Sequence, residues 1–145
     1  MSDYSDIVAT IAIIFSFLSF IVSLRTLEYK NPMIKICTED LPPYKDKNQN
    51  TSITITNQGS APGIDPEIII SFSWQDGEIS HVFDGEWIEV NESLKYSARL
   101  PEPPSNFKGE LKIVIEANVR KRNLFRKKDF CFSEEIPILN PVKSK

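Results

Sequence analysis

The chain has 145 residues and a formal net charge of −3. Its length suits a single domain plus an attachment and is too short for two full-sized domains. Eight acidic and no basic residues lie from Asp65 to Glu92, whereas six of the nine residues from Arg120 to Lys128 are basic. This distribution excludes a chain-wide basic surface for nucleic acid, so any charge-driven contact is local. Cys37 and Cys131 form no C-x-x-C pair and give no support to a zinc or thioredoxin-type motif.

The first segment has the composition of a membrane span. Ile7 to Leu24 contains no charged residue, proline or glycine, and its eighteen residues would cover about 27 Å as an α-helix, close to the thickness of a bilayer core. The alternative, a cleaved signal peptide, needs basic residues before the apolar run and an A-x-A-like site after it. The leading MSDYSD and the following SLRTLEYK lack both, which favours a retained anchor.

The flanking charges predict an orientation. No Lys or Arg precedes the span, and Arg25, Lys30 and Lys35 follow it. The positive-inside rule therefore places the N-terminus outside and the rest of the chain in the cytoplasm, as a single-pass protein of a cell inner membrane. Both cysteines would then be free thiols. An extracytoplasmic domain is the alternative; there a disulfide becomes conceivable.

The small residues of the span follow a regular pattern. They step by three and four, the a/d spacing of a heptad, so they share one helix face. Small residues and hydroxyls on a shared face allow helices to associate in lipid. We therefore predict a homo-oligomer, or association with a partner transmembrane helix, through Ala9, Ala12, Ser16, Ser19 and Ser23. The alternative is that the hydroxyls only bond back to carbonyls of their own helix.

After Asn31-Pro32 the pattern becomes alternating, as in strands with one buried face. The predicted organisation is a tail (1–6), a transmembrane helix (7–24), a linker (25–32), an antiparallel β-sandwich (33–140) and a C-terminal tail (141–145). Turn clusters separate seven or eight short strands, which is typical of a sandwich. The predicted strands are 33–39, 51–57, 67–74, 79–83, 87–90, 94–100, 111–119 and 130–138.

One stretch, TSITITNQGSAPGIDPEIIISF, resembles immunoglobulin-like domains of the CARDB type, which are often tethered or adhesive modules. Asn57 and Gly59 match the turn of those domains, and Ala61 stands where they carry a small residue. The later WIEVNESLKY lacks their usual Pro-Gly. The resemblance implies an immunoglobulin-like fold and no particular activity, because such sandwiches carry many unrelated functions.

No motif for a nucleotide or other cofactor is present, and catalysis is not predicted. His81 is the sole histidine, and Ser80 or Cys131 beside it would be needed for a nucleophilic site. The acids Asp76, Glu78, Asp84, Glu86 and Glu89 lack the spacing of a metal-binding loop and read as a solvated acidic hairpin.

The strongest predicted contact site is RKRNLFRKK, a hairpin connection with basic arms and two apolar residues at its tip. The predicted lipid- or anion-binding residues are Arg120, Lys121, Arg122, Leu124, Phe125, Arg126, Lys127 and Lys128. Anionic lipid would attract the basic groups while Leu124 and Phe125 enter the interface. A nucleotide or nucleic acid would instead place phosphates on the arginines and a base on Phe125. A plain solvated turn is the third interpretation.

The number of strands decides where this hairpin lies. In a seven-strand sandwich it returns to the end at which the first strand starts, together with the loop NQGSAPGID. If 87–90 counts as a full strand, the hairpin points to the opposite end.

Three functions remain open from the sequence. The first is a non-enzymatic membrane protein whose sandwich binds a ligand or partner and whose helices associate; its layout resembles small bacterial membrane effectors of anti-phage immunity. The second is an accessory subunit of a larger membrane complex. The third is an extracytoplasmic binding module.

Overall fold

The structure is a computed structural model, and it describes residues 2–46, 48–122 and 126–138. The chain divides into two compact units, 1–31 and 32–145. The described residues form one helix in the first unit and eight strands in the second, called here the β unit.

The helix, α1, runs from Ser2 to Tyr29. Its segment Tyr4–Leu27 is long and apolar enough to cross a membrane, a criterion that signal sequences also meet, and none of it is buried. The helix extends past the predicted span into both the predicted tail and the predicted linker. The physical reason is that neither proline nor glycine occurs before Pro32, and the residue before a proline disfavours helical geometry.

The β unit consists of two antiparallel sheets. The strands are β1 (Ile34–Glu39), β2 (Thr51–Asn57), β3 (Gly63–Phe72), β4 (Gln75–Val82), β5 (Trp87–Ile88), β6 (Ser93–Ala98), β7 (Lys112–Arg122) and β8 (Lys127–Pro137). One sheet has the order β1-β2-β6, and the other has β4-β3-β7-β8 with β5 also paired to β3. The antiparallel β prediction is thereby confirmed.

The two sheets share one core, built by alternation along the strands. Ile53 and Ile55 of β2, Ile68 and Ile70 of β3, and their counterparts on β7 are fully buried, and all belong to a single hydrophobic cluster. Burying each such side chain contributes on the order of 1.5–3 kcal/mol.

The strand directions define two ends of the β unit. We call the first the Met33 end, because Met33 precedes β1 there; β2 finishes and β3 begins at the same end. The register of β7 against β3 brings Arg120 opposite Ile64, so the β7–β8 connection lies at the Met33 end too. The opposite end, which carries Tyr44, is called the Tyr44 end.

All eight predicted strands are present, but only β2 matches the prediction at both boundaries, and the largest differences, four residues each, are at the starts of β3 and β4. β3 begins at Gly63, four residues before the predicted start at Glu67. A Cβ at Gly63 would lie 3.0 Å from Cγ2 of Ile88 and 3.1 Å from Cβ of Val119, so the absence of a side chain lets β3 begin between β5 and β7. The sequence DGE at 76–78, predicted as a turn, lies inside β4, and the turn falls at 73–74.

The side chain of Asn57 connects several backbone segments at the Met33 end through hydrogen bonds. It is fully buried. The Oδ1 atom accepts bonds from the backbone N–H groups of Met33 (3.2 Å) and Gly59 (3.0 Å). The Nδ2 atom donates to the carbonyl oxygens of Ala61 (2.8 Å) and Ile88 (3.0 Å). All four hydrogen bonds open to an amide are therefore made.

A partly buried chain of hydrogen bonds connects three segments at the Tyr44 end. The Leu100 N–H donates to the Tyr44 hydroxyl (3.1 Å), which lies 2.9 Å from the Thr51 hydroxyl. Thr51, fully buried, donates in turn to the Asp40 carbonyl oxygen (2.9 Å). Each end of the β unit thus has its own polar tie between separate segments.

We expect Asn57→Ala to lower the free energy of unfolding by at least about 2 kcal/mol, because it leaves two buried carbonyl groups and two partly buried N–H groups without this partner. Urea unfolding of the full chain in detergent, followed by tryptophan fluorescence, measures this change.

Asn50→Ala is the matched control, since Asn50 is exposed in the loop before β2 and its loss should change stability by no more than about 0.5 kcal/mol. Equal effects of the two substitutions would contradict the role assigned to Asn57.

Candidate functional site

The basic hairpin is built on the two longest strands. β7 and β8 pair with Arg120 opposite Asp129, Lys121 opposite Lys128 and Arg122 opposite Lys127. The predicted arms are thus paired strands at the Met33 end. Leu124 and Phe125, predicted at the tip, lie outside the described residues.

The alternation of the strands separates the basic side chains into two groups. Arg120, Arg122 and Lys127 lie on the outer face of the sheet and are exposed. Lys121 lies on the inner face and is only 6% exposed, an arrangement that the basic run did not predict. Lys128, also on the inner side, is exposed and places its Nζ 5.1 Å from the centroid of the Phe130 ring, a cation–π contact. Arg126 is exposed between the strands.

A tryptophan lies in the same strand row as Arg120. Trp87 is opposite Ile64, Ile64 is opposite Arg120, and Arg120 is opposite Asp129. Because its neighbour Ile88 is fully buried, Trp87 must face outward, and it is 49% exposed. The sequence reasoning missed this residue. The signal was available, since two adjacent large apolar residues in a strand cannot both face the core.

A shallow basic depression is formed by this row and the hairpin. Its volume is about 380 Å³, and Ile64, Trp87, Arg120, Arg122 and Lys127 are among its lining residues. A side chain that binds here would meet an aromatic surface on one side and positive charge on the other.

An acidic depression of about 430 Å³ lies next to it, and Arg120 borders both. Asp65, Glu67, Asp84 and Asp129 contribute to its lining. Arg120 is 3.9 Å from Asp65 and 3.4 Å from Asp129, so its charge is compensated locally. Among the described residues, no carboxylate comes within ion-pair distance of Arg122, Arg126 or Lys127.

The predicted helix-association residues are all displayed on α1. Ala9, Ala12, Ser16, Ser19 and Ser23 are exposed in the single chain. Ser23 donates back to the Ser19 carbonyl (2.9 Å), and Thr26 donates to the Val22 carbonyl (2.8 Å), as the alternative interpretation expected. The hydroxyls of Ser16 and Ser19 have no hydrogen-bond partner within the described part of the chain.

The residues considered for catalysis do not come together. The His81 ring stacks on Tyr96 (4.4 Å between centroids) and meets the edge of Phe83 (4.6 Å). Ser80 donates instead to Glu67 (3.1 Å), and Cys131 lies on the outer face of β8. In the described ranges, no three His, Cys, Asp or Glu side chains are placed to hold a metal ion.

Comparisons with known proteins do not assign the chain to a family. No family model matches it, and no curated protein matches it. A crystal structure of a Bordetella pertussis protein designated ApaA is similar over 76% of this chain and 89% of its own. The identity is 17% and the TM-score is 0.38, a likeness that carries no argument about fold family or function.

The exposed basic residues should be replaceable without loss of the fold. We expect Arg122→Gln with Lys127→Gln to change the free energy of unfolding by no more than about 0.5 kcal/mol, because like charges on directly opposite residues contribute no attraction. Urea unfolding of the full chain measures this. A clearly larger loss would mean that the two side chains hold the hairpin together.

Proposed function

We propose that the protein is a non-enzymatic, single-pass membrane protein that associates through its helix and presents the β unit as a binding module. In this proposal α1 spans a cell inner membrane, the N-terminus lies outside and the β unit is cytoplasmic. The observation that best supports this proposal is that Tyr4–Leu27 is apolar and that none of it is buried. A helix with apolar residues on all sides requires lipid or other helices around it.

The small-residue face supports association between helices. Apolar burial does not drive helices together inside lipid, so close backbone approach and hydroxyl hydrogen bonds must do so. Ser16 and Ser19 fit this role, since their hydroxyls make no hydrogen bond to the described residues. An assembly of several such helices is also what an effector that perturbs a membrane requires.

The β unit supports a binding role through its exposed features. We include in the proposal an immunoglobulin-like sandwich, because the Asn57-x-Gly59 turn that carried the resemblance is stabilised by the bond from Gly59 to Asn57. The basic depression beside Trp87 offers a surface for an anionic group.

We expect Ser16→Leu with Ser19→Leu to weaken self-association about tenfold, because bulky side chains separate the helix backbones. Amine-reactive crosslinking of the full chain in membranes, with and without the substitutions, measures the loss of the oligomeric band.

The control is Phe17→Leu with Phe20→Leu, which changes two apolar residues off the small-residue face and should leave the band intact. A band that persists in the first variant contradicts association through this face. If the unsubstituted chain gives no band alone, an accessory role beside a partner helix replaces the proposal. Depolarisation of cells on induced expression would support the effector role.

The two native cysteines can test the orientation. Both Cys37 and Cys131 are exposed and free. We therefore expect an impermeant maleimide to leave them unlabelled in intact spheroplasts and to label them after permeabilisation. A Ser5→Cys variant that lacks the native cysteines should be labelled already in intact spheroplasts. Labelling of the native pair in intact spheroplasts would favour an extracytoplasmic module.

A further inference from the structure

The exposed large apolar residues of the β unit are not scattered over its surface. In the described part of that unit they are Met33, Val82, Trp87 and Val90, between 40% and 59% exposed. Met33 precedes β1, Trp87 lies in β5 and Val90 follows β5, so these three lie at the Met33 end; Val82, at the close of β4, lies toward it. Isolated exposed apolar residues are ordinary, but their concentration at one end needs an explanation.

Positive charge with no ion-pair partner among the described residues lies at the same end. Arg122, Arg126 and Lys127 are exposed, and the basic depression joins Arg122 and Lys127 to Trp87. The acidic groups Glu67 and Asp84 line the neighbouring depression, whereas Asp65 lines both depressions and lies 3.9 Å from Arg120. Glu86 and Glu89, on either side of β5, are exposed too, so the part of the Met33 end that is complementary to a negatively charged surface is the hairpin, with Arg122, Arg126 and Lys127.

The chain itself connects this end to the proposed membrane span. Only residues 30–33 separate the last residue of α1 from the first residue of β1. A tether of four residues limits how far the Met33 end can lie from the surface of a bilayer that α1 spans.

We propose that the Met33 end is a membrane-contact surface for anionic phospholipid, with Trp87, Val90 and Met33 at the headgroup boundary and Arg122, Arg126 and Lys127 on lipid phosphates. This inference rests on the proposed membrane anchor. Tryptophan favours the boundary because its ring is apolar and its N–H is polar, while basic residues gain on the order of 1 kcal/mol each near an anionic leaflet. A soluble anionic ligand would use the charges but leave Met33 and Val90 unexplained.

The two tryptophans of the chain provide matched reporters, one at each end. Trp74 lies in the turn at the Tyr44 end, packed on Phe72. Its Nε1 is buried without a hydrogen-bond partner in the described chain, so Trp74→Phe removes an unsatisfied group and should preserve the fold. Trp74→Phe leaves Trp87 as the reporter, and Trp87→Phe leaves Trp74.

The experiment reconstitutes each full-length variant in phosphatidylcholine vesicles, with and without phosphatidylglycerol, using lipids brominated near the glycerol. We expect quenching of Trp87 to exceed that of Trp74 about twofold or more, and to rise with phosphatidylglycerol, because interfacial burial reaches the upper acyl chains. Arg122→Gln with Lys127→Gln should reduce it. Lys45→Gln with Lys108→Gln, the same charge change at the Tyr44 end, should not.

Quenching of Trp87 no stronger than that of Trp74, with phosphatidylglycerol present, would overturn the inference. The inference would also fail if Trp87 fluorescence were unchanged by the lipid but changed on addition of a nucleotide or oligonucleotide. That result would make the depression a ligand site. Carbonate extraction of the same vesicles separates this failure from failure of the anchor. A firmly inserted protein with unquenched Trp87 contradicts the membrane contact alone, whereas extraction of the protein contradicts the proposed function.

Discussion

The structure of the Met33 end depends on the amide of Asn57. Its four side-chain hydrogen bonds reach Met33, Gly59, Ala61 and Ile88. Its backbone N–H also donates to the Glu92 carbonyl, and its carbonyl accepts from Asn91. One buried residue thus joins the start of β1, the turn before β3, strand β5 and the start of β6. Only an amide offers two donors and two acceptors in that space, which is why neither a carboxylate nor an apolar side chain could replace it.

The same bonds position the surface to which we assign a function. Asn57 holds the carbonyl of Ile88, and Ile88 fills the core, so Trp87 is turned outward beside Ile64 and Arg120. Met33 and Val90 are likewise adjacent to groups bonded to Asn57. Fold stability and presentation of the exposed apolar residues therefore have a common origin. A surface of this kind needs rigid support, because exposed apolar side chains on a loose loop would collapse onto the core.

Strand boundaries could be predicted from the sequence where alternating burial determines them. They could not be predicted where a contact with another strand determines them. β2 was predicted with both boundaries correct, since every second residue from Thr51 to Asn57 is buried. The start of β3 at Gly63 depends on close packing against Ile88 and Val119, which no single-strand pattern contains. The burial of Lys121 follows from the inward register of β7, but a run of basic residues suggested a uniformly solvated surface. At the site, charge identified the hairpin, whereas the neighbourhood of Trp87 required the pairing of three strands.

The location of the hairpin follows from the direction of β5. Both β4 and β5 are antiparallel to β3 and pair with successive parts of it, so β5 continues the direction of β4 after the interruption at residues 83–86. It adds no reversal of the chain, so β4 and β5 together count as one of seven strands, and the hairpin returns to the Met33 end as that count requires. Had the segment been a full strand with its own reversal, the basic arms would lie beside Tyr44, remote from Trp87 and from the tether. The shared direction of β4 and β5 is therefore what brings the charged arms and the exposed apolar residues to one end.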